Sequence, residues 1–344
     1  MSTYKRVIWL SLALVAVTLL AACVAPTPEV REVEVIREVE VPVERPHIRV
    51  AYPSIVDMED IPSVMAHQLL VEQGYAVTPT FYAQSELAVE ALARGDADFG
   101  NGADRTFWAA ISKGANIVTI MEQAANGWAI FAIPDIQTCE DLGGRRFAQH
   151  SEGAVSKAMS DAYILENCPG TEPEILIIPG SENRAAALLA GEIDASPVEL
   201  ADAVQIELQR PGEFHVLANF AVDVPKLKTT ALYVNGDFAA EHPEAVKDYI
   251  RALLTVHRQI VKDPDSLIAE ASKWLAIDPE VLPKVVEAQF AANSWDVNGG
   301  LDEDSIQFSI DFFTNAGRLD PGLTVDDVAD LSYLNEVLDE IGRQ

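Results

Sequence analysis

Ala91–Gly100 reads ALARGDADFG: a helical pattern stops at a glycine, an acidic turn follows, and a short apolar strand begins. Just before it, Ser85–Arg94 has apolar residues at helical spacing, with Ser85 as a candidate N-cap. The same order recurs at Gly191–Ala195, GEIDA, after a second helical pattern. Two copies of one helix–turn–strand unit in a single chain predict two similar α/β lobes.

Helical and extended patterns alternate on both sides of these two units. We expect strands at 47–52, 76–82, 116–121, 128–133, 146–149 and 174–178, and helices at 61–72, 106–113, 153–166 and 182–190. This alternation is typical of βαβ units and a mostly parallel sheet. From residue 241 onward the pattern is almost all helical, with helices expected at 242–261, 267–275, 279–291 and 302–316.

The composition is that of a large globular protein with a strongly acidic surface. The chain has 344 residues, of which 49% are hydrophobic, so it can bury a sizeable core. Its formal net charge is −30, which argues against a nucleic-acid partner because such proteins present basic faces. The same charge would repel an anionic membrane surface, so any membrane attachment should come from another source.

The N-terminal segment has the features of an export signal. Lys5 and Arg6 precede an apolar run at 7–20, which is too short to cross a bilayer as a helix. Leu20-Ala21-Ala22-Cys23 resembles a bacterial lipobox, in which the cysteine carries a lipid and begins the mature chain. We therefore predict a lipoprotein signal peptide at 1–22 and lipidation of Cys23. The alternative is an ordinary signal peptide that happens to contain a cysteine.

Residues 23–46 are predicted to form a flexible tether. The stretch contains four prolines and a near-repeat in which REVEV at 31–35 recurs at 37–41. Alternation of valine with charge could make a solvated strand, but an isolated strand is not stable in water. We expect an extended, charged spacer between the membrane and the folded part, with a partner-binding strand as the alternative.

Several stretches, in order, resemble a known family. They are HIRVAY at 47–52, ALARGDADFG at 91–100, DLGGRRFA at 141–148, LLAGEIDAS at 188–196, DFAAEHPEAVKDYIRALL at 237–254 and LDEDSIQFSIDFFTNAGRL at 301–319. The series is similar to the solute-binding proteins of ABC importers, in the group that binds sulfonates, nitrate, taurine and thiamine pyrimidines. The resemblance covers about residues 47–340.

This resemblance implies a two-lobed periplasmic-binding-protein type II fold, α/β in class, with helices at the C-terminus packed on lobe 1. Lobe 1 is expected at 47–127, lobe 2 at 128–221, and a return to lobe 1 with the C-terminal helices at 222–344. It also implies a monomer outside the cytoplasm, held at the cell membrane by its lipid. Its partners would be a small-molecule ligand and an ABC permease with a cytoplasmic ATPase, without a cofactor or a catalytic activity.

The ligand site is expected where loops leave the carboxyl ends of strands and enter helices, because ligands bind open parallel sheets at that edge. Those loops offer free backbone N–H groups at the positive ends of helix dipoles. The chain should cross between lobes near 126–128 and 220–228. The predicted ligand-binding residues are Tyr52, Ser54, Asp57, Tyr82, Gln84, Ser85, Asn101, Ala103, Asp104, Arg105, Trp128, His150, Ser151, Glu152, Gly153 and Glu199.

The residue types leave two ligand classes open. Arg105 could hold a sulfonate, carboxylate or nitrate by bidentate contact, or could simply pair with neighbouring acids. Trp128 and the tyrosines could stack on a heterocycle, although a single aromatic residue is more often part of a core. The carboxylates in the loops suit a ligand with N–H donors. We therefore expect either a sulfonate-like anion or a nitrogen heterocycle of the thiamine-pyrimidine or riboflavin kind.

Other chemistry has little support in the sequence. QHSEG at 149–153 lacks the first glycine of a serine nucleophile elbow, and the six histidines show no spacing typical of metal ligands. DVNGG at 296–300 begins like a calcium loop but has Leu301 where the glycine is required. No phosphate-binding GxxxxGK[ST] motif is present, so the chain is not expected to be the ATPase of a transporter.

Two alternative functions are also considered for this sequence. A tethered ligand sensor for a partner receptor fits the same sequence, whereas an enzyme like the yeast thiamine-pyrimidine synthases fits poorly because the cysteines here are isolated.

With Cys23 lipidated, Cys139 and Cys168 remain, and an exported compartment permits a disulfide between them. Two buried thiols are the alternative. Both cysteines should lie at the end of lobe 2 opposite the ligand.

Overall fold

The structure, a computed structural model, describes residues 45–344. The predicted signal peptide, the lipidation site Cys23 and nearly all of the predicted tether lie outside the described residues. None of the helices between Arg45 and Gln344 is long and apolar enough to cross a membrane.

The first sheet has five strands in the order β2-β1-β3-β10-β4. The strands are β1 (His47–Tyr52), β2 (Ala76–Phe81), β3 (Phe99–Ala103), β4 (Ile117–Ala124) and β10 (Thr230–Asn235). β1 pairs in parallel with both β2 and β3, whereas β10 is antiparallel to β3 and to β4. β10, which the chain forms after it returns from the second sheet, is therefore antiparallel to the other four strands.

The second sheet repeats this plan in the order β7-β6-β8-β5-β9. The strands are β5 (Trp128–Ala132), β6 (Arg146–Gln149), β7 (Glu174–Ile177), β8 (Ala195–Glu199) and β9 (His215–Asn219). β6 is parallel to β7 and β8, and β5 is antiparallel to β8 and β9. The expected α/β class with two mostly parallel sheets is confirmed, with one reversed strand in each.

The reversed strands are those by which the chain enters a sheet from the other lobe. β5 begins opposite the end of β8, where Trp128 pairs with Glu199, and β10 begins opposite the end of β3, where Thr230 pairs with Ala103. The chain thus crosses between the sheets at 125–127 and at 220–229, beside the carboxyl ends of the parallel strands. A strand that starts at that edge must run in the opposite direction to its neighbours.

Fourteen helices flank the two sheets in the described part of the chain. They are α1 (Ile61–Glu72), α2 (Ser85–Ala93), α3 (Asp104–Ile111), α4 (Val155–Asn167), α5 (Ser181–Ala190), α6 (Leu200–Gln209), α7 (Phe220–Asp223), α8 (Gly236–Glu241), α9 (Pro243–Lys262), α10 (Pro264–Trp274), α11 (Leu282–Ala291), α12 (Glu303–Asn315), α13 (Val325–Val328) and α14 (Ser332–Ile341). α9 packs against α1 and α14 on the first lobe, whereas α11 also contacts α6 of the second lobe.

The helix–turn–strand unit makes the same ion pair in each lobe. In the first lobe the backbone N–H and the Nε of Arg49 both donate to Asp98 Oδ2, at 2.8 and 2.9 Å. In the second lobe Arg146 donates to Asp194 Oδ2 in the same way, at 2.9 and 3.1 Å. The aspartate N–H returns a bond to the arginine carbonyl at 2.8 Å in both lobes. We call each of these pairs an arginine–aspartate clasp; each joins β1 or β6 to the turn before the strand next to it in the sheet, β3 or β8.

A disulfide joins Cys139 to Cys168, with Cα atoms 5.7 Å apart. Cys139 begins a short 3-10 helix (Cys139–Leu142) before β6, and Cys168 directly follows α4. Both cysteines are buried, and both lie at the amino-terminal edge of the second sheet. The bond therefore ties the entry of β6 to the loop that leads into β7.

Candidate functional site

A cavity of about 70 Å³ lies between the carboxyl-terminal edges of the two sheets. Both lobes contribute to its wall. The first lobe provides Pro53, Ser54, Asp57, Glu59, Asp60, Ser85, Gly102, Ala103, Gln123 and Thr230, and the second provides Trp128, His150, Ala154, Val155, Ser156, Gly180, Ser181, Glu182 and Glu199. A ligand held here would contact both lobes at once.

Six helices begin at this cavity. The residue just before the helix or its first residue lines the wall in each of α1 to α6: Asp60, Ser85, Ala103, Ala154, Gly180 and Glu199. A helix N-terminus carries unsatisfied N–H groups and a partial positive charge. The two carboxylates in this set therefore stand where the helix dipoles favour negative charge.

The first lobe places three carboxylates together in the loop before α1. Asp57 Oδ1 accepts hydrogen bonds from the N–H groups of Glu59 and Asp60 at 2.9 and 3.2 Å, and Asp60 Oδ1 accepts one from the Gln123 amide at 2.5 Å. The Glu59 side chain makes no hydrogen bond or ion pair with another residue of 45–344 in the structure. Burial raises the pKa of Glu59 to about 8, with a further contribution from the negative charges of Asp60 and Glu122. Burial also raises the pKa of Asp60 to about 7.

The second lobe brings Glu199 to the same cavity. It is 7% exposed, and its carboxylate has no hydrogen-bonding partner among the described residues, although its backbone N–H donates to the Ser181 hydroxyl oxygen at 2.8 Å. Burial, together with Asp57 and Glu59 of the first lobe, raises the pKa of Glu199 well above its usual range. Carboxylates of the two lobes thus lie close enough to repel each other across the cavity.

Two ring N–H groups complete the polar wall. His150 Nδ1 accepts a hydrogen bond from the Gly180 N–H at 3.1 Å, so in the neutral ring the proton lies on Nε2. Burial and Arg184 lower the pKa of His150 to about 4, which keeps the ring neutral near pH 7. His150 Nε2 and Trp128 Nε1 are buried and have no hydrogen-bonding partner within residues 45–344. Both are therefore donors available to a bound molecule.

Buried Arg184 supports this wall from behind. Its guanidinium lies 5.7 Å from the Trp128 ring centroid. It donates to the carbonyl oxygens of Pro197, Ile178 and Gly180 at 3.1, 3.2 and 2.8 Å. These bonds join the loop after β7 to the last strand before α6, and so hold the tryptophan and the two loops in one arrangement.

Seven of the predicted ligand-binding residues line the cavity: Ser54, Asp57, Ser85, Ala103, Trp128, His150 and Glu199. Tyr82 lines an adjoining surface depression together with Ser54 and His150. Each of these residues ends a strand, lies in the loop or helix start that follows one, or begins a crossing strand, which is the position from which it was predicted.

Five predicted residues lie elsewhere in the first lobe. Tyr52 is fully buried, with its hydroxyl oxygen 3.4 Å from His67 Nε2, and Asn101 is buried within β3. Asp104 accepts a hydrogen bond from the Tyr233 hydroxyl inside the lobe. Arg105 Nε donates to the Arg318 carbonyl at 3.0 Å, and Gln84 is exposed just before α2. The Tyr52 side chain packs in the core of the first lobe, whereas both side-chain polar atoms of buried Asn101 have no hydrogen-bonding partner among the described residues.

The predicted loop 151–153 contacts the other lobe instead of the cavity. The Gly153 N–H and the Ser151 hydroxyl donate to the Glu86 carboxylate at 2.5 and 3.2 Å, and the Thr106 hydroxyl donates to the Gly153 carbonyl. Glu152 is 75% exposed, 3.8 Å from Lys157 Nζ. We call the Glu86 and Thr106 contacts to this loop the cleft latch, since they join the two lobes beside the cavity.

Several wall residues were not predicted from the sequence. Glu59 and Asp60 lie just beyond the predicted loop 52–57, and Ser181 follows the strand expected at 174–178. The rule used for the other loops would have found Ser181, because it too follows the carboxyl end of a parallel strand. Gln123 and Thr230 could not be found in this way, since Gln123 lies in β4 before the first crossing and Thr230 begins β10 after the second.

The described residues contain no group of three or more histidine, cysteine, aspartate or glutamate side chains arranged to hold a metal ion.

The protonation of these acids predicts a pH-dependent stability for the unliganded protein. A carboxyl whose pKa is raised on folding stabilises the folded state at low pH and loses that contribution as the pH rises through its folded value. This loss begins above the ordinary carboxyl pKa of about 4 and is complete just above the folded values, which are about 8 for Glu59 and about 7 for Asp60. One extra proton in the folded state lowers the free energy of unfolding by about 1.4 kcal/mol from about pH 7 to about pH 8.

Urea unfolding at constant ionic strength measures this slope. The buried histidines do not oppose it, because the lowered pKa of His67, His150 and His257, about 4 in each, leaves them neutral in both states above about pH 7. Glu59→Gln, which removes one titrating group, should flatten the slope. A free energy of unfolding that stays level or rises over this interval would contradict the prediction.

Comparisons with known proteins agree with this architecture. A search among curated proteins finds no match to the chain. In structure, the chain is similar to an alkanesulfonate-binding protein from Xanthomonas axonopodis pv. citri bound to MOPS, with a TM-score of 0.68 and 18% identity over 84% of this chain and 99% of that one. It is also similar to a ligand-binding component of an ABC-type import system from Staphylococcus aureus with zinc bound, with a TM-score of 0.70 and 14% identity over 85% and 99%.

A third similar structure is the periplasmic nitrate-binding protein of Synechocystis PCC 6803, with a TM-score of 0.68 and 12% identity over 87% of this chain and 90% of that one. At these identities the likeness shows the fold, and the expected two-lobed periplasmic-binding-protein architecture is confirmed. The sequence itself matches the family described as NMT1/THI5 like over residues 69–267, more than half of the chain. The chain therefore belongs to the NMT1/THI5-like family.

Proposed function

We propose that this protein is the solute-binding component of an ABC importer, which captures a small organic molecule between its lobes and delivers it to a permease. The observation that carries the proposal is the cavity whose wall comes from the strand ends and helix N-termini of both lobes. The structural neighbours described as import components and binding proteins support the same role. The partners are then the permease and its cytoplasmic ATPase, and no catalytic step is involved.

Ligand capture depends on rotation of one lobe against the other. The two crossings at 125–127 and 220–229 are joined where the Asn126 amide donates to the Phe220 carbonyl at 3.4 Å, and we assign them as the hinge. The lobes are accordingly 47–127 and 128–221, with 222–344 returning to the first lobe. A ligand that contacts both lobes stabilises the closed state over the open one, and so shifts the equilibrium towards closure.

The protein is proposed to act outside the cytoplasm as a monomer, with a lipid on Cys23 and a tether up to residue 46. The disulfide between Cys139 and Cys168 supports an oxidising compartment, since such bonds persist there. Anchoring by lipid would also agree with a net charge of −30, which does not favour binding to an anionic bilayer surface.

Replacement of Cys23 with serine is expected to abolish membrane anchoring. A single acyl chain binds membranes only marginally, and bacterial lipoproteins are held by several, so the unlipidated chain should leave the membrane fraction. Fractionation of cells, with incorporation of labelled palmitate as a second readout, measures the change. A Cys139→Ser/Cys168→Ser variant should keep its label. Equal membrane retention and labelling of the Cys23→Ser protein would contradict the lipid assignment.

Binding by closure can be tested by melting the protein against a ligand panel. The panel contains taurine, alkylsulfonates, nitrate, bicarbonate, aromatic carboxylates, pyrimidines, thiamine and riboflavin. A ligand at about 100 times its dissociation constant stabilises the folded state by about 2.7 kcal/mol, which shifts the melting temperature by several degrees. Small-angle scattering should show a smaller radius of gyration with the same ligand. Binding without any compaction would contradict the closure mechanism.

A further inference from the structure

The wall of the cavity carries more negative charge than its surroundings neutralise. Five carboxylate side chains line it, on Asp57, Glu59, Asp60, Glu182 and Glu199, and no lysine or arginine of residues 45–344 does so. Asp60 receives the Gln123 amide and Asp57 receives two backbone N–H groups. The carboxylates of Glu59 and Glu199 have no such partner among the described residues, although both residues are more than nine-tenths buried.

Burial of unpartnered carboxylates is costly, and the cost is greater when they face one another. Asp57 and Glu59 come from the first lobe and Glu199 from the second, so closure brings like charges together. An isolated charge of this kind is retained in a closed cavity only when something pairs with it or when it takes up a proton. A bound cation between the lobes would pair with acids of both.

Two of the six helix N-termini at the cavity already carry a carboxylate, which weakens their attraction for an anion. Their positive ends are the usual attraction for an oxyanion, but Asp60 and Glu199 already occupy two of these positions on the cavity wall. Arg184, a buried cation on the second lobe, does not line the cavity; its Nε and Nη1 donate to three carbonyl oxygens behind the wall, and its Nη2 has no partner among the described residues. Arg105, the residue expected to hold an anion, donates to Arg318 outside the cavity.

We propose that the ligand is an organic nitrogen cation whose N–H groups are held jointly by Glu59 of the first lobe and Glu199 of the second. This inference rests on the proposed function and names its ligand class. The Trp128 ring beside these acids suits a flat cation, through stacking and cation–π contact. The free N–H groups of Trp128 and His150 add donors for an acceptor atom elsewhere on the same molecule. An organic cation also fits better than a metal ion, since the described carboxylates form no metal cluster.

The test compares planar probes that share a shape and differ in charge. One set is guanidinium, urea and nitrate; the other is benzamidinium, benzamide and benzoate. Each probe is titrated at constant ionic strength, with tryptophan fluorescence and melting temperature as readouts, and Zn²⁺ alone is included as a metal control. We expect a cation of at least one set to bind saturably and at least tenfold more tightly than its neutral and anionic counterparts.

Two variants and a matched control identify the groups responsible. Glu59→Gln and Glu199→Gln keep the side-chain shape and remove one charge each, so each should weaken binding of the cation at least tenfold. Glu166→Gln removes an exposed charge on α4 away from the cavity and should leave the affinity unchanged. Because the glutamine variants relieve repulsion between buried acids, they should melt no lower than the parent protein, which separates lost binding from lost folding.

The outcomes separate this inference from the proposed function. Tighter binding of nitrate or benzoate, tighter binding of Zn²⁺ than of either nitrogen cation, cation affinity that is unaltered in both variants, or no saturable cation binding would each overturn the cation assignment. An anion that binds and compacts the protein in small-angle scattering would do so while leaving the binding-protein role intact. Conversely, carboxylate-dependent binding of a cation without compaction would retain the assignment and overturn the proposed closure.

Discussion

Replacement of Lys228 with methionine is expected to lower the free energy of unfolding by about 3 kcal/mol at about pH 8. Lys228 Nζ lies 2.8 Å from Glu122 Oε1, and the two side chains are 14% and 5% exposed. Methionine fills a similar volume but leaves the Glu122 carboxylate buried without its cation. The loss should be smaller at about pH 6, because burial already raises the pKa of Glu122 to about 7 and an unpaired carboxyl takes up a proton still more readily.

Urea unfolding of three variants separates this ion pair from a general effect of charge. Lys226→Met removes an exposed cation from the same crossing segment and should change the stability little. Adding Glu122→Gln to Lys228→Met removes the buried charge and should restore most of the loss. If Lys228→Met and Lys226→Met unfold alike at both pH values, the buried pair does not stabilise the fold as argued.

Loss of the disulfide between Cys139 and Cys168 is expected to lower the free energy of unfolding by a similar amount. The cysteines are 29 residues apart in sequence, and closure of a loop of this length removes about 3.5 kcal/mol of chain entropy from the unfolded state. A Cys139→Ser/Cys168→Ser protein should therefore unfold at a lower urea concentration than the oxidised parent.

Thiol titration provides the independent check on that bond. The protein unfolded without reductant should show no reactive thiol from these two cysteines, and the reduced parent should unfold at the same urea concentration as the double serine variant. Two reactive thiols per chain in the unreduced state would contradict the bond. Equal stability of oxidised and reduced protein would instead contradict the expected entropic contribution.

The fold was predictable because its local signals agree with one another. The glycine that ends each helix and the aspartate that follows it mark the same turn twice, and the structure places both turns before a buried central strand. The reversed direction of β5 and β10 was not predictable in this way, because a strand's local pattern does not tell which way its neighbours run. That direction depends on where the chain crosses between the lobes.

The candidate site was only partly predictable, for a reason that lies in side-chain direction. The rule about strand ends finds the loops, and it places Ser54, Trp128 and Glu199 on the cavity wall. It does not tell which side chains in a loop face the ligand, so it also selects Tyr52, which packs into the core. Nor can it foresee the cleft latch, because the contact of Glu86 with the loop 151–153 forms only when two distant lobes meet.

The arginine–aspartate clasps have a consequence for how such a protein can change over generations. Each clasp lies within a single lobe, at the amino-terminal edge of its sheet, whereas the cavity lies at the opposite edge. Substitutions that alter ligand preference therefore fall on loops whose bonds do not maintain the strand order. The residues that keep the fold and the residues that select the ligand are therefore different sets. The ligand-selecting loops can change during evolution while the clasps, and with them the strand order, are kept.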